Sequence, residues 1–321
     1  MAHPALKEAS PITRRIVQHT RGNGQGFITR LMSPADLGQA LKPFVFLDIF
    51  DADRAMLQAV ERSGGMPIHP HSGVATVTVI TEGHARYDDP AIGAGEIAYG
   101  GVEWMRAGGG VWHGKEMTAG DVSRLQGFQL WLALPPELEN GPAESRYIEA
   151  GDMPYAWPAH IIVGRHENVQ SPVPAPDGIN YLLVTLRPGE SWSYEPPAGH
   201  SVGWLALAKG ALDAGETISA GEMAIFEVGE APISLQASGG EDAVFVLGSA
   251  VPHPHPLHLG HYSVHTSAEA LTTGERRIAE LGQKLNEAGD RQNGVRVGSG
   301  VSITEIFRGP QIREWEHGKI F

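Results

Sequence analysis

The segment "MPIHPHSGVATVTVITEG", residues 66–83, sets His69 and His71 on either side of a proline and runs directly into alternating apolar residues. In an extended strand, residues i and i+2 share a face, so both imidazoles converge on one side of a sheet. A third histidine, His113, returns in "EWMRAGGGVWHGKEM", with the carboxylate of Glu116 three positions beyond it. Two strand histidines plus one from a later strand, inside a barrel, fill three positions of a metal ion and leave others open for substrate and dioxygen. The competing reading makes His69-Pro70-His71 a surface turn and His113 a packed core ring. The third histidine and an internal duplication of β-units weigh against it.

The residues after His113 leave two arrangements open. Strict alternation puts Lys115 on the face of His113 and turns Glu116 away. A one-residue bulge at Gly114 swings Glu116 back, and glycine tolerates such a bulge. Charge favours the second arrangement, because a dication among neutral imidazoles is uncompensated in a low-dielectric interior. Glu116 is then a metal ligand and the candidate base. Lys115, if it points inward beside a dication, has a depressed pKa and can act as a neutral base toward a phenol; pointing outward, it is a solvated lysine at a strand end.

The chain has no cysteine among its 321 residues, which excludes disulfides and thiolate ligands. A bound metal is therefore held by histidine and carboxylate, which selects Fe(II), Mn, Ni, Co or Zn over Cu(I) or an iron–sulfur cluster. A formal net charge of -13 and the lack of any basic block give no general attraction to nucleic acid or an anionic membrane surface. There is no apolar run of membrane-spanning length, and "MAHPALKEASPITRR" lacks the apolar core of a signal peptide, so a soluble cytoplasmic protein is expected.

The elements that must position these residues read as strands. Forty-one glycines and 23 prolines without a low-complexity segment suit many strands and tight turns. Alternation recurs in "VATVTVIT" (74–81), "GFQLWLALP" (127–135), "INYLLVTLRPG" (179–189), "VGWLALAKG" (202–210) and "EDAVFVLGSA" (241–250). Helical signals are few. "SPADLGQALKPF" offers Ser33 as N-cap, and "TSAEALTTGERRIAELGQKL" opens with a Thr266/Glu269 capping box and spaces Leu271, Ile278, Leu281 and Leu285 along one stripe. "TVTVITEGHARYDDPAIGAGEIAYG" is echoed by "GWLALAKGALDAGETISAGEMAIFE": Gly83 lines up with Gly210, an offset of 127 (210 − 83), and Gly95 with Gly221, an offset of 126 (221 − 95). One β-domain is thus present twice, joined by the proline-rich "NVQSPVPAPDG" (168–178). The second copy has Pro196 and Ala198 under His69 and His71, so only the first is equipped for a metal.

Four segments in order, "KPFVFLDIFDAD", "HPHSGVATVTVITEG", "EWMRAGGGVWH" and "LQGFQLWLALP", resemble the pirin family of the cupin superfamily. The resemblance covers most of residues 10–270 and is strongest over 43–135. It implies two tandem cupin-type antiparallel β-barrels, a bicupin, with one divalent metal, usually iron, in the first. The family's ligands are an HxH pair, a later His and a Glu; His69, His71 and His113 fall on the three histidines. The family's His-x-Glu is here His113-Gly114-Lys115-Glu116, a departure at the fourth ligand. Some members cleave the flavonol quercetin with dioxygen, and others are iron-dependent transcriptional co-regulators.

The expectation is an all-β chain with a few short helices: an N-terminal domain over 10–167 carrying the metal site, a C-terminal domain over 179–265 without ligands, and a helix and tail over 266–321. Fe(II) is the expected metal. The function expected is a mononuclear dioxygenase for a planar phenolic substrate, similar to quercetin 2,3-dioxygenase; the alternative is a metal- or redox-sensing regulatory module. His253, His255, His258, His261 and His265 of "PHPHPLHLGHYSVHTS" are assigned mainly to surface and interface packing. The "VSITEIF" of the tail is a candidate edge strand for a protein partner or a homodimer.

Overall fold

The computed structural model describes residues 13–89, 92–114 and 117–288, so the "VSITEIF" segment lies outside the described residues. The five alternating segments form the strands Val74–Glu82, Arg124–Ala133, Ile179–Leu186, Val202–Lys209 and Ala243–Ala250. They are the centres of two seven-stranded antiparallel sheets. Val74–Glu82 and Arg124–Ala133 pair in the first, next to Phe44–Asp53 and Val102–Arg106, and the other three pair in the second.

Alternation decides which way each side chain faces. Ala75, Val77 and Val79 join Phe44, Trp104 and Leu130 in a core that also takes Tyr181, Leu183, Trp204 and Val246 from the second sheet, so the two sheets pack on each other. Phe44 meets Trp204 edge-on at 5.2 Å. Each fully buried aliphatic or aromatic chain in this layer contributes roughly 1.5–3 kcal/mol, and the layer joins the two units into one body. The opposite face of each sheet lines a barrel. In the second barrel it carries Leu182, Val184, Leu205, Leu207, Phe245 and Leu247, closed over by the strands Ser191–Tyr194 and Ile233–Ala237. In the first barrel the equivalent positions include polar groups. At the offset of 127, Thr78 stands where the second barrel has Leu205 (205 − 78).

The duplication is visible in the backbone: the equivalent glycines Gly83 and Gly210 both have φ of 80°. Non-local pairing adds what periodicity does not carry. The strand Ile16–Thr20 pairs with Met223–Phe226 at the edge of the second sheet, and Ala159–Val163 pairs with Ile179–Leu186. The chain thus crosses between the units on both sides of its proline-rich linker. Its C-terminal part returns to the first unit, where Val264 packs with Val45, Val74 and Trp131.

Both helix starts shift from the expected caps. Helix Leu37–Leu41 is capped by Asp36, whose carboxylate accepts from the Leu37 N–H and from Ser33 N at 2.8 Å, in place of Ser33. For helix Ala268–Ala288, Ser267 Oγ accepts from Ala270 N at 3.1 Å, one residue later than the Thr266 cap expected. Thr266 is occupied elsewhere, its N–H and hydroxyl donating to Glu139 at 2.6 and 2.7 Å. The buried stripe of this helix is Gly274, Ile278 and Gly282, and Leu285 is exposed.

Candidate metal centre

Strand His69–His71 pairs antiparallel with Val111–His113, in the register His69 opposite His113 and His71 opposite Val111. Alternation brings His69 and His71 to one face, and the register adds His113 directly across. The three ring centroids lie 4.9, 4.6 and 5.1 Å apart, and one nitrogen from each lies within 4.8 Å of the other two. Among the described residues this is the one cluster of three or more metal-ligating side chains.

The tautomers follow from the partners. His69 Nδ1 is 3.0 Å from Pro67 O, and His71 Nδ1 is 3.3 Å from Tyr262 O. A carbonyl only accepts, so each Nδ1 carries the proton and each Nε2 presents its lone pair. The Nε2 atoms of His71 and His113 are buried with no hydrogen-bond partner. A buried polar atom without a partner is costly, and two of them aimed into one cluster fit a cation better than any apolar filling. Burial, with the charge of the neighbouring histidines, holds the His71 imidazolium well below its ordinary range and brings His113 down to about 3. Both rings are therefore neutral and able to ligate at ordinary pH.

Gly114 has φ of 135°, and a Cβ there would sit 2.8 Å from Pro67 O and 3.2 Å from His69 Nδ1. The backbone does leave regular strand geometry at this residue, and glycine is required because His69 and its carbonyl anchor fill the space. Lys115 and Glu116 lie outside the described residues, so their directions stay as expectations.

Around the histidines the first barrel is part apolar and part polar. Trp131 stands edge-on to His71 at 4.6 Å and stacks on Phe46 at 4.1 Å. Further along the strands the register aligns Glu103, Thr78, Gln129, Asp48 and Arg30 in one row. Thr78 Oγ1 donates to Glu103 at 2.6 Å, and Arg30 holds Asp48 through two bonds of 3.0 and 3.1 Å. Burial pushes the Asp48 carboxyl up, against the opposing effect of Arg30. None of these was singled out from sequence, although Asp48 interrupts the apolar run "FVFLDIF" and Thr76 and Thr78 share one face of "VATVTVIT". Two of the five C-terminal histidines depart from the surface assignment, His265 at 1% and His253 at 8% exposed, while His255 and His258 are half-buried and His261 is exposed.

Two packed antiparallel barrels, with a cluster of three histidines in the first alone among the described residues, define a bicupin with a candidate three-histidine metal site. The comparisons with known proteins agree. The Pirin family model matches residues 27–132. A Pseudomonas aeruginosa protein named "Putative quercetin 2,3-dioxygenase" is 31% identical over 252 residues, 74% of this chain and 85% of that one. A "Pirin-like protein" of Caulobacter vibrioides is 37% identical over 145 residues, 45% of this chain and 50% of its own length. The crystal structure of a quercetin 2,3-dioxygenase from Acinetobacter baumannii has the same fold, with a TM-score of 0.65 and 23% identity, covering 88% of this chain and 99% of that one. The chain belongs to the pirin family.

Proposed function

We propose that this protein is a mononuclear metal-dependent dioxygenase acting on a planar phenolic or flavonol substrate, with His69, His71 and His113 as ligands and Fe(II) as the metal. The observation that carries the reading is the convergence of three imidazoles, two of them with orphaned Nε2 atoms, in the first barrel, a cluster with no counterpart among the described residues of the second. The relative named as a quercetin 2,3-dioxygenase supports the substrate class. When bound, the metal supplies a Lewis acid for a substrate oxygen and a redox-active centre for dioxygen. The protein's part is to hold the rings in one tautomer, to exclude water with the Trp131–Phe46 wall, and to take the substrate's phenolic proton. Glu116 fills that last role and the fourth ligand position, with Lys115 as the second candidate base.

The departure from His-x-Glu favours a second reading, a metal- or redox-sensing regulatory protein acting in the cytoplasm through a protein partner or a homodimer. Anaerobic Fe(II) loading of untagged protein followed by oxygen uptake with quercetin separates the two. The dioxygenase predicts metal-dependent uptake of one dioxygen per quercetin consumed. Stable iron binding without uptake contradicts it and leaves the regulatory reading.

A further inference from the structure

The ligand-bearing strands are covered by residues 258–282. Ser72, next to His71, forms a parallel bridge with Ser263, and Val264 N donates to Ser72 O at 3.2 Å. Gly73 has φ of 73°, and a Cβ there would fall 1.9 Å from Val264 O, so residues 263–265 lie directly on the backbone that follows His71. Tyr262, whose carbonyl meets His71 Nδ1, is itself in the left-handed region with φ of 57°. That conformation is unfavourable for a non-glycine residue and persists only where its surroundings enforce it. The His113 strand is held in the same way. Trp112 Nε1 donates to Ile278 O at 2.9 Å, and a Cβ at Gly282 would come within 2.9 Å of the Trp112 ring.

A buried polar chain fastens this contact. Ser72 Oγ lies 2.9 Å from both Ser263 Oγ and His265 Nε2, and His265 Nδ1 lies 3.3 Å from Glu139. Burial disfavours the His265 imidazolium, against the pull of Glu139. Ser72 Oγ donates its one proton to Ser263 Oγ, whose own hydroxyl donates to His261 O at 3.0 Å, so at the His265 Nε2 contact Ser72 Oγ is the acceptor. The order serine, histidine, glutamate is that of a hydrolytic triad, but it is sealed: a Cβ at Gly274 would meet His265 Nε2 at 2.5 Å and Ser72 Oγ at 2.6 Å. No substrate reaches this serine. What the chain does is fix residue 72, and through it the backbone of His71, to the C-terminal segment.

We propose that residues 258–282 are a clamp on the metal centre, with Ser72, His265, Glu139 and Trp112 as positioning residues, so that docking of the C-terminal helix and occupancy of the three-histidine site reinforce each other. Coupling of two sites is reciprocal: if the docked clamp raises metal affinity, bound metal tightens the clamp. The inference rests on the metal-site reading, and the test keeps the two apart. Zn(II) and Co(II) affinities are measured by competition for the full chain and for the Ser72→Ala and Trp112→Phe variants, with the Co(II) absorption bands as a second readout. Amide exchange over residues 268–282 of the unaltered protein is compared with and without Zn(II). The clamp predicts affinities about 10-fold weaker in each folded variant, as for other partners of metal ligands, altered Co(II) bands, and slower exchange in the loaded protein. Wild-type affinity in both variants, or exchange over 268–282 indifferent to metal, overturns the clamp and leaves the metal site standing. If the unaltered chain binds neither ion at the three histidines, the metal-site reading fails and the clamp with it. Should a variant not fold, the exchange comparison decides alone.

Discussion

At the scale of single residues, His71 and His113 each leave a buried Nε2 without a hydrogen-bond partner. His71 is the sharpest case, with its ring fully buried, its Nδ1 tied to a carbonyl 191 positions away, and its Nε2 unpartnered. His71→Ala is therefore expected to lower Zn(II) affinity by at least about 100-fold, more than the loss of an outer partner, as read by competition titration. Glu116→Gln is expected to lower it as well, because the amide carries no charge to offset a dication. Unchanged affinity in Glu116→Gln, with Lys115→Met altering it, assigns the inward position to Lys115. The histidines were legible because side-chain alternation needs only a strand to act on. Tyr262 was not, since its contribution is a backbone carbonyl and any residue type supplies one.

Among the elements, the strands were readable to within about three residues, because one face of each is buried and a register slip would turn its side chains over. The last helix was readable as a helix but not in how it docks. A leucine stripe suggested an ordinary apolar face, whereas Gly274 and Gly282 bring the helix backbone against Ser72, His265 and Trp112. Glycine in a helix reads locally as a defect, and its reason lies on the neighbouring strand. The same logic makes Gly114 the element-scale test of the site. Gly114→Ala puts a Cβ 2.8 Å from Pro67 O at a φ of 135°. A loss of roughly 1–3 kcal/mol of stability is expected, together with weaker metal binding from the displaced His69. Urea unfolding and metal titration of the same variant measure both.

For the whole molecule, the repeat announced two β-units, and the pairing of Ile16–Thr20 with Met223–Phe226 shows that they are laced together by contacts more than 200 positions apart. Such pairing leaves no periodic trace in sequence. The titration of the whole chain also belongs at this scale. Burial holds His113 at about 3, His253 at about 4 and His71 well below 6.5. Their folded values are depressed, so between these values and 6.5 the unfolded chain binds more protons than the native one. The stability they contribute is full above pH 6.5 and is lost as pH falls through the folded values. The metal-free protein is expected to unfold at lower urea concentration at pH 5 than at pH 7.5. An unchanged or higher midpoint at pH 5 contradicts the neutral, buried histidines.

The central claim is that His69, His71 and His113 hold one metal ion in the first barrel and that the second barrel holds none. Metal analysis of untagged protein after Zn(II) loading and removal of loosely bound ions tests it most directly, run beside the variant with all three histidines replaced by alanine. The account predicts one equivalent per chain in the unaltered protein and none in the triple variant. One equivalent retained in the triple variant, or none in the unaltered chain, contradicts it.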